Sequence, residues 1–260
     1  MKNKVILILV DGMASQSLQA CRNPFAVEFQ AAGIGNLYAK TVVPSVTLPC
    51  HMSLFHSVVP QRHGILTNTY VPQVRPVKGL FEILTEQGKK CAMFYSWEEL
   101  RDISRPGAMQ YSEFFANSNV PNSDMKLTSD CLAYITEQSP DFVFLYLGLT
   151  DAVGHEHGWM SKPFLQAVYN AWDCIHAVYK QFSKDYCIFV TADHGGHDYS
   201  HGLDIDDDIN IPILVTGIES KAILPEQVAN ANIMDIAPTV TTVFQIKGDP
   251  DWKGVSFVSR

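Results

Sequence analysis

Short apolar segments recur along the chain, and each is separated from the next by a polar or helix-like stretch. The apolar segments are rich in Val, Ile, Leu and Phe and are short enough to form strands buried on both faces. The predicted strands are Val5–Val10, Cys91–Tyr95, Phe142–Leu147, Cys187–Thr191 and residues 211–215. The predicted helices are residues 48–57, 79–87, 129–138, Lys162–Phe182 and 235–244. This alternation predicts an α/β fold with a mostly parallel central sheet and helices on both faces.

The composition fits one domain that spans residues 1–260. Hydrophobic residues make up 47% and charged residues 18% of the chain, which is enough apolar material for a core. The least regular region, residues 102–128, is polar and contains Pro106, Gly107 and Pro121. We interpret this region as either a small lid or a long surface connection.

The net charge of −8 restricts the partners of the protein. No basic stripe is present to neutralise a phosphate backbone, which argues against a nucleic-acid polymer as partner. An acidic protein can still bind a small phosphate ester if metal cations supply local positive charge. No apolar run approaches the length of a membrane span, so no membrane partner is expected. The sequence does not indicate the oligomeric state.

The first apolar run and the cysteines bear on the compartment. Val5–Val10 follows two lysines, but it is shorter than the roughly 7–15 residues of a signal-peptide core. We therefore interpret it as a buried first strand. The six cysteines are scattered and form no CxxC pair, which favours reduced thiols. A cytoplasmic location is expected from these features.

Ligand-type side chains follow three of the predicted strands. Asp11 directly follows the first strand, Asp151 comes soon after the third, and Asp193-His194 come soon after the fourth. In an open parallel sheet, ligands bind beyond the carboxyl ends of the strands. We therefore expect these carboxylates and this imidazole to meet at one edge of the sheet.

The spacing of further histidines extends this candidate metal site. After Asp193-His194, two glycines and a short loop lead to His201, which suits a chelating turn, although a solvated polar loop is the alternative. Asp151 and His155 are four positions apart and can meet one metal from a helical turn. Nitrogen and carboxylate ligands together favour Zn²⁺, with Mn²⁺ as the alternative. Six such ligands suit two divalent ions, at a spacing of about 3.5–4 Å.

Thr47 is the candidate nucleophile. It precedes a helix-like segment with Pro49 in the first turn, so it can act simply as a helix cap. The same helix terminus also offers N–H groups and positive dipole to a phosphoryl group. A metal bound to the hydroxyl would favour its alkoxide form. Ser45 is the rival nucleophile, but it lies outside the predicted cap.

The motifs occur in a fixed order along the chain. They are Asp11 after the first strand, Thr47-Leu48-Pro49-Cys50-His51, Pro60-Gln61-Arg62-His63-Gly64-Ile65, Asp151-x-x-Gly154-His155, Asp193-His194-Gly195 and His201-Gly202. This ordered set resembles the type I phosphodiesterase/nucleotide pyrophosphatase branch of the alkaline phosphatase superfamily. The resemblance implies an alkaline phosphatase-like core and a binuclear metal-dependent phosphodiesterase that acts through a phospho-threonine intermediate.

The resemblance also implies two ligand sets. One set is Asp11, Thr47, Asp193 and His194, and the other is Asp151, His155 and His201. The first ion would activate Thr47, and the second would polarise the leaving oxygen and later activate water. Asn68 stands where the family has a phosphate-binding Asn, and its amide would act with the Leu48 N–H on the phosphoryl oxygens.

The loop between His194 and His201 is short, whereas the larger nucleotide pyrophosphatases carry a long insertion there. Because that insertion shapes the substrate pocket, the substrate is left open between a nucleotide, a phosphodiester headgroup and a phosphonate. A phosphonate hydrolase or a phosphomutase of the same superfamily, and a non-catalytic metal-binding protein, are the alternatives. A phosphomutase generally needs a further domain. A sulfatase is disfavoured because Thr47 replaces the Cys-x-Pro-x-Arg motif.

Two further features are not assigned a catalytic function. His197 and Asp198 lie inside the ligand loop and are alternatives to His194, or supports for it. The acidic run at residues 204–208 lacks the spaced ligands and terminal Glu of a calcium loop, so we predict a solvated acidic loop.

Overall fold

A seven-stranded sheet forms the centre of the protein, and a computed structural model describes residues 3–105, 107–116 and 120–259. The strands are β1 (Val5–Val10), β2 (Ile34–Lys40), β3 (Cys91–Tyr95), β4 (Tyr111–Phe114), β5 (Phe142–Leu147), β6 (Cys187–Thr191) and β7 (Asn210–Thr216). Their order across the sheet is β2-β7-β6-β1-β5-β3-β4.

The sheet is mostly parallel, as predicted. β1 pairs in parallel with β5 and β6, and β3 pairs in parallel with β5 and β4. β7 runs antiparallel to both of its neighbours, β6 and β2. The central strands β1, β5 and β6 are buried along their whole length, which requires cover on both faces of the sheet.

The four strands with continuous apolar sequence have the predicted bounds, and β7 is slightly longer than residues 211–215. β2 and β4, which form the two edges of the sheet, were not predicted. β2 is mostly half-exposed and contains Gly35 and Asn36, so it has no continuous apolar run. β4 is short and lies within the region predicted to be irregular. Edge strands need less burial, and their sequence signal is correspondingly weaker.

Helices surround the sheet in the described part of the chain. They are α1 (Ser17–Ala20), α2 (Pro24–Ala32), α3 (Thr47–His56), α4 (Pro60–His63), α5 (Leu80–Glu86), α6 (Ser123–Gln138), α7 (Leu149–His157), α8 (Lys162–Phe182), α9 (Asp206–Ile209), α10 (Pro225–Ala229) and α11 (Ile236–Val243). Short 3-10 turns occupy Glu98–Ile103, Ser220–Ala222 and Ile233–Asp235.

All five predicted helices are present. The bounds of α8 match the prediction, and α3, α5 and α11 differ from it by one residue at each end. α6 begins at Ser123, well before the predicted start at residue 129. Its first turns contain several polar residues, although Asp124 and Leu127 are buried there. Among the described residues, no helix is long and apolar enough to cross a membrane.

The region predicted as a lid or surface connection is more regular than expected. Within residues 102–128 the structure places β4, which pairs with β3, and the start of α6. Pro106 and residues 117–119 lie outside the described residues. A lid function for this range, and the assignment of residues 1–260 to one domain, stay predictions.

Candidate metal centre and nucleophile

Three adjacent strands deliver the candidate ligands to one edge of the sheet. β1 lies between β6 and β5 and runs parallel to both. Asp11 directly follows β1, Asp193 comes soon after β6, and Asp151 lies in the first turn of α7, just beyond β5. The convergence expected from the sequence is therefore present in the fold.

The first ligand group consists of Asp11, Asp193 and His194, whose ligand atoms lie within 4.8 Å of one another. His194 Nε2 is 3.3 Å from Asp11 Oδ1 and 3.4 Å from Asp193 Oδ2. The N–H groups of Gly12 and His194 donate to Asp193 Oδ1, at 3.1 and 3.0 Å, so the other carboxylate oxygen faces the group. All three ligand side chains are buried. Their chemistry suits a divalent cation of the zinc type.

The second ligand group consists of Asp151, His155 and His201, again within 4.8 Å of one another. Asp151 and His155 lie one helical turn apart on α7, and His155 Nε2 is 3.5 Å from Asp151 Oδ2. His201 reaches the group from the loop after β6, with Nε2 at 3.6 Å from Asp151 Oδ1. This group is more open than the first, because 45% of the His155 side chain is exposed.

The same type of hydrogen bond orients all three histidines. In each ring Nδ1 faces a backbone carbonyl, namely Gly195 O for His194 (2.8 Å), Tyr199 O for His155 (2.9 Å) and Ser45 O for His201 (2.9 Å). A carbonyl oxygen only accepts, so Nδ1 carries the proton and Nε2 is free to bind a metal.

The buried carboxylates lack partners at the positions where cations would bind. Asp11 Oδ1, Asp151 Oδ1 and Asp193 Oδ2 are buried and accept no hydrogen bond. Burial, followed by the negative charge of Asp193, raises the pKa of Asp11 well above its usual value, and burial also raises the pKa of Asp193. Because a buried carboxylate needs a compensating group, these oxygens fit divalent cations.

The two ligand groups adjoin through stacked imidazoles. The rings of His194 and His201 lie with centroids 3.7 Å apart and nearly parallel. Burial lowers the pKa of His194 and lowers that of His201 to about 4. Both imidazoles are therefore neutral at pH 7, the form that binds a metal. The arrangement can hold two cations side by side.

Thr47 lies next to the first group at the start of α3. The cap position is occupied by Val46, so Thr47 is the first helical residue and not the predicted N-cap. Its hydroxyl oxygen lies 3.2 Å from His194 Nε2. The helix dipole and the free N–H groups of the first turn point to the same place. Ser45 Oγ, the rival nucleophile, donates instead to Leu203 O at 2.8 Å.

Asn68 meets the start of the same helix. The Leu48 N–H donates to Asn68 Oδ1 at 3.0 Å, so the two phosphate-binding groups suggested by the resemblance bind each other. The bond fixes the Asn68 amide beside Thr47 and leaves its NH₂ group available. A phosphoryl oxygen that used the Leu48 N–H would have to replace Asn68 Oδ1.

Two residues contact the first ligand group and Thr47 from within the protein, and the sequence pointed only to His51, through the motif that begins at Thr47. The Tyr146 hydroxyl donates to Asp11 Oδ2, and burial raises the pKa of Tyr146, which keeps it a donor. His51 Nδ1 donates to Thr47 O at 2.8 Å and lies 3.6 Å from Asp193 Oδ2. Nothing in the local sequence separates such a tyrosine from a core residue, whereas His51, one turn after Thr47, carried a detectable signal.

Two more unidentified residues support the elements that carry ligands. Trp159 donates from Nε1 to Gly12 O at 2.9 Å and packs its ring edge-on against His155. Asp124, buried in α6, accepts hydrogen bonds from Gly148 N and Leu149 N at the start of α7. Burial raises the pKa of Asp124 to about 7.

Of the remaining polar loop residues, the acidic run differs from its prediction and His197 does not. His197 belongs to neither ligand group of the described residues, and its Nδ1 bonds Asp208 Oδ1 at 2.7 Å, which fits the supporting position that was the alternative to a ligand. Asp208 is fully buried, so the acidic run at residues 204–208 is not uniformly solvated as predicted. The turn of α9 points Asp208 inward while the preceding aspartates stay exposed.

A cavity of about 550 Å³ opens over both ligand groups. Its polar wall includes Asp11, Thr47, Asn68 and Tyr146, and the ligands of the second group complete it. A second wall is formed by residues of α7 and by Trp97. The cavity is large enough for a small phosphate ester beside Thr47.

Comparison with known proteins identifies a matching family and several relatives of this chain. The model of the type I phosphodiesterase/nucleotide pyrophosphatase family matches residues 5–239. Ectonucleotide pyrophosphatase/phosphodiesterase family member 3 of Mus musculus is 26% identical over 218 residues, which cover 74% of this chain and 24% of the mouse protein. The 2,3-bisphosphoglycerate-independent phosphoglycerate mutase of Clostridium perfringens is 23% identical over 170 residues, covering 61% of this chain and 33% of the mutase. The chain thus spans about a quarter to a third of the length of these two relatives.

A solved structure shares the fold. An inactive threonine-to-alanine variant of murine ectonucleotide pyrophosphatase/phosphodiesterase 5, in complex with AMP, matches with a TM-score of 0.80 and 13% identity. The match covers 99% of this chain and 100% of that one. Because the family model extends over most of the sequence and includes every candidate ligand, the chain belongs to the type I phosphodiesterase/nucleotide pyrophosphatase family.

Proposed function

We propose that this protein is a phosphodiesterase of the nucleotide pyrophosphatase type, which uses two divalent cations and a phospho-threonine intermediate on Thr47. The observation that carries the proposal is the position of Thr47. Its hydroxyl lies 3.2 Å from His194 Nε2, at the start of a helix and on the wall of the cavity shared with the second ligand group. A nucleophile beside one cation site, on a cavity that a second site also lines, suits in-line phosphoryl transfer.

The chemistry of the donors supports the assignment of the cations. Asp11, Asp193 and His194, with Thr47, would hold one ion, and Asp151, His155 and His201 would hold the other. When bound, the ions supply positive charge that favours a Thr47 alkoxide and neutralises the phosphoryl oxygens. The nitrogen and carboxylate donors favour Zn²⁺ over Mn²⁺.

The proposed reaction consists of two successive displacements at phosphorus. Thr47 Oγ attacks phosphorus, the Oγ–P bond forms, and the ester P–O bond opposite breaks. The departing alcohol takes up one proton, which balances the proton that Thr47 loses. Water then attacks the phospho-threonine, the Oγ–P bond breaks, and Thr47 regains its proton. The Asn68 NH₂ group is placed to donate to a non-bridging oxygen in both steps.

The substrate in this proposal is a small phosphate ester rather than a nucleic-acid polymer or a membrane. Nucleotide diesters come first because the relatives carry pyrophosphatase/phosphodiesterase in their names and a related structure binds AMP. A phosphomutase is the second candidate, because the chain also matches a phosphoglycerate mutase. A phosphonate hydrolase would use nearly the same donors, and a non-catalytic metal-binding protein would show no turnover at all.

A substrate panel tests the proposal. Zinc-reconstituted protein is assayed with bis-p-nitrophenyl phosphate, p-nitrophenyl phosphate and a nucleotide phosphodiester, and manganese replaces zinc in a parallel series. We expect the diesters to turn over faster than the monoester. Thr47→Ala should lower turnover by at least about 10³-fold while it retains both ions, because the covalent route is lost. Normal turnover in Thr47→Ala would refute the nucleophile, and preference for the monoester would refute the diesterase assignment.

The compartment is a separate part of the proposal. The six cysteines are buried and form no disulfide, which supports the cytoplasmic location inferred from reduced thiols. The relatives carry the prefix "ecto" in their names, so secretion is the competing hypothesis. Fractionation of the native host, with the protein followed by antibody, distinguishes the two.

A further inference from the structure

One short loop carries a ligand for each of the two groups. It runs from His194, in the first group, to His201, in the second, and contains no regular helix or strand. Both imidazoles must be placed within a few tenths of an ångström for a cation to bind tightly. The backbone of the loop therefore needs support from outside.

The short helix α9 supplies this support through Asp208. The Asp208 carboxylate accepts from His197 Nδ1 at 2.7 Å and from Leu203 N at 2.8 Å, so its two oxygens bind the middle of the loop and the segment directly after it. Its backbone carbonyl accepts from Gly195 N at 2.8 Å. One residue thus fixes two points of the loop, Gly195 and His197, and the chain directly after it at Leu203.

The packing between α9 and the loop is close. A Cβ atom on Gly195 would lie 2.0 Å from Asp207 O, so only glycine permits this approach. Gly196 N donates to the same carbonyl of Asp207 at 2.9 Å. His197 closes the tip of the loop by a pair of backbone hydrogen bonds with Ser200, each of 2.9 Å. The loop has little freedom to move while α9 stays in place.

Burial separates Asp208 from the rest of the acidic run. Asp208 is 0% exposed, whereas Asp204, Asp206 and Asp207 are exposed. A buried carboxylate is stable only with strong donors, and His197 and Leu203 provide them. The hydrogen bond from His197 to Asp208 also raises the pKa of His197, as expected for a close ion pair.

We propose that Asp208, acting through His197 and Leu203, is a positioning residue that holds the 194–201 loop in the conformation that presents His194 and His201 to two cations. Asp208 lies outside both ligand groups and does not line the cavity over them. The inference rests on the cation sites of the proposed function, and it adds an outer support for the loop that carries His194 and His201.

The test compares Asp208→Asn with Asp206→Asn in the full chain. Asp206 is a matched control, because it lies in the same helix but is exposed and pairs only at the surface, with Lys40 at 3.0 Å. Zn²⁺ affinity is measured by chelator competition. Loss of a residue that orients metal ligands typically weakens metal affinity about 10–100-fold, and we expect that loss in Asp208→Asn. Asp206→Asn should match the wild type.

A spectroscopic readout separates positioning from general destabilisation. Co²⁺ bound in place of Zn²⁺ reports the coordination geometry in its visible absorption. We expect a changed spectrum in Asp208→Asn and an unchanged one in Asp206→Asn. Equal Zn²⁺ affinities and equal Co²⁺ spectra in the two folded variants would overturn the proposal.

Substitutions of His197 give a second route if Asp208→Asn fails to fold. His197 is partly exposed, so its substitution is mild. His197→Ala removes the donor to Asp208, whereas His197→Asn places an amide N–H where Nδ1 stood. We expect weaker Zn²⁺ binding in His197→Ala and recovery in His197→Asn. Wild-type affinity in His197→Ala would contradict the proposal.

A metal-free measurement distinguishes failure of this proposal from failure of the proposed function. If the wild type bound no divalent ion, the two-cation function would be wrong. Amide hydrogen exchange of residues 195–203 would still test the support, because it needs no ion. Faster exchange in Asp208→Asn than in Asp206→Asn supports a held loop, and equal exchange refutes it.

Discussion

The two ligand groups adjoin, but their surroundings differ. The first group is built from residues that follow two central strands, and its side chains are almost fully excluded from solvent. The second is built from α7 and the tip of a loop, and the exposed side-chain fractions are 19% for Asp151 and 45% for His155. The same kinds of donor thus stand in a dry environment and in a wet one.

This difference separates two requirements of the site. A dry, rigid group holds charge close to the nucleophile, where low polarity strengthens each interaction. An open group can exchange water and product. The first group should therefore bind its ion more tightly and matter more for Thr47, and the second should tolerate change better.

Removing one carboxylate from each group should give the largest contrast. We expect Asp193→Asn to lower kcat/KM by about 10³-fold or more, because cation stabilisation of the transition state is worth several kcal/mol. Asp151→Asn should cost about tenfold less, since the second group is more open and water can take the place of a ligand there. Steady-state kinetics with metal analysis measure both variants. A more severe loss in Asp151→Asn would reverse the proposed ranking of the groups.

The hydroxyl that supports Asp11 should come next. Tyr146→Phe leaves Asp11 Oδ2 without its donor, so we expect the affinity for one Zn²⁺ to fall by about 10–100-fold while the other ion is retained. Tyr186→Phe is the matched control, because it also removes a buried hydroxyl, one that donates to Pro140 O at 2.8 Å. Chelator competition is the measurement. Equal affinities in the two variants would show that Tyr146 does not support the first group.

The smallest expected effect is on the unfolding free energy, and it appears when the metal ions are removed. The folded pKa values of Asp11 and Asp193 are raised, so the stability that these groups contribute is present below their unfolded values and is lost as pH rises through the folded ones. We expect the chelated protein to lose roughly 1–3 kcal/mol of unfolding free energy from this cause.

The buried neutral histidines also change the stability with pH, but below about pH 6.5 and in the opposite sense. Asp193→Asn separates the contribution of the buried carboxylate from theirs. In urea titrations of chelated protein, its stability should fall less with rising pH than that of the wild type. Identical pH dependence in the two proteins would contradict the assigned burial cost.

The sequence predicted the parts of the fold that rest on continuous patterns. The buried strands were found because both of their faces are apolar, and α8 because its apolar stripe extends from Phe164 to Phe182. β2 and β4 were missed because edge strands need no continuous apolar run. Antiparallel β7 could not be recognised as such, because strand direction depends on the path of the chain between strands.

At the site, the sequence identified the residues expected to bind a metal or a substrate. It identified fewer of the residues whose side chains contact only other parts of the protein. The members of both ligand groups and Thr47 lie together as expected. Tyr146 and Asp124 were missed because their partners, a carboxylate and backbone N–H groups, are distant in sequence. Asp208 was missed because its neighbours in the acidic run are exposed, and the run gives no sign that one member is buried. Their function depends on burial, and an isolated Tyr or Asp carries no sign of it.

The stereochemical course at phosphorus tests the central claim most directly. A diester made chiral by a phosphorothioate is hydrolysed in ¹⁸O-labelled water, and the configuration of the product is determined. Each in-line displacement inverts phosphorus, so the two-step route through Thr47 predicts net retention. Net inversion would show that water attacks the substrate directly and would contradict a phospho-threonine intermediate.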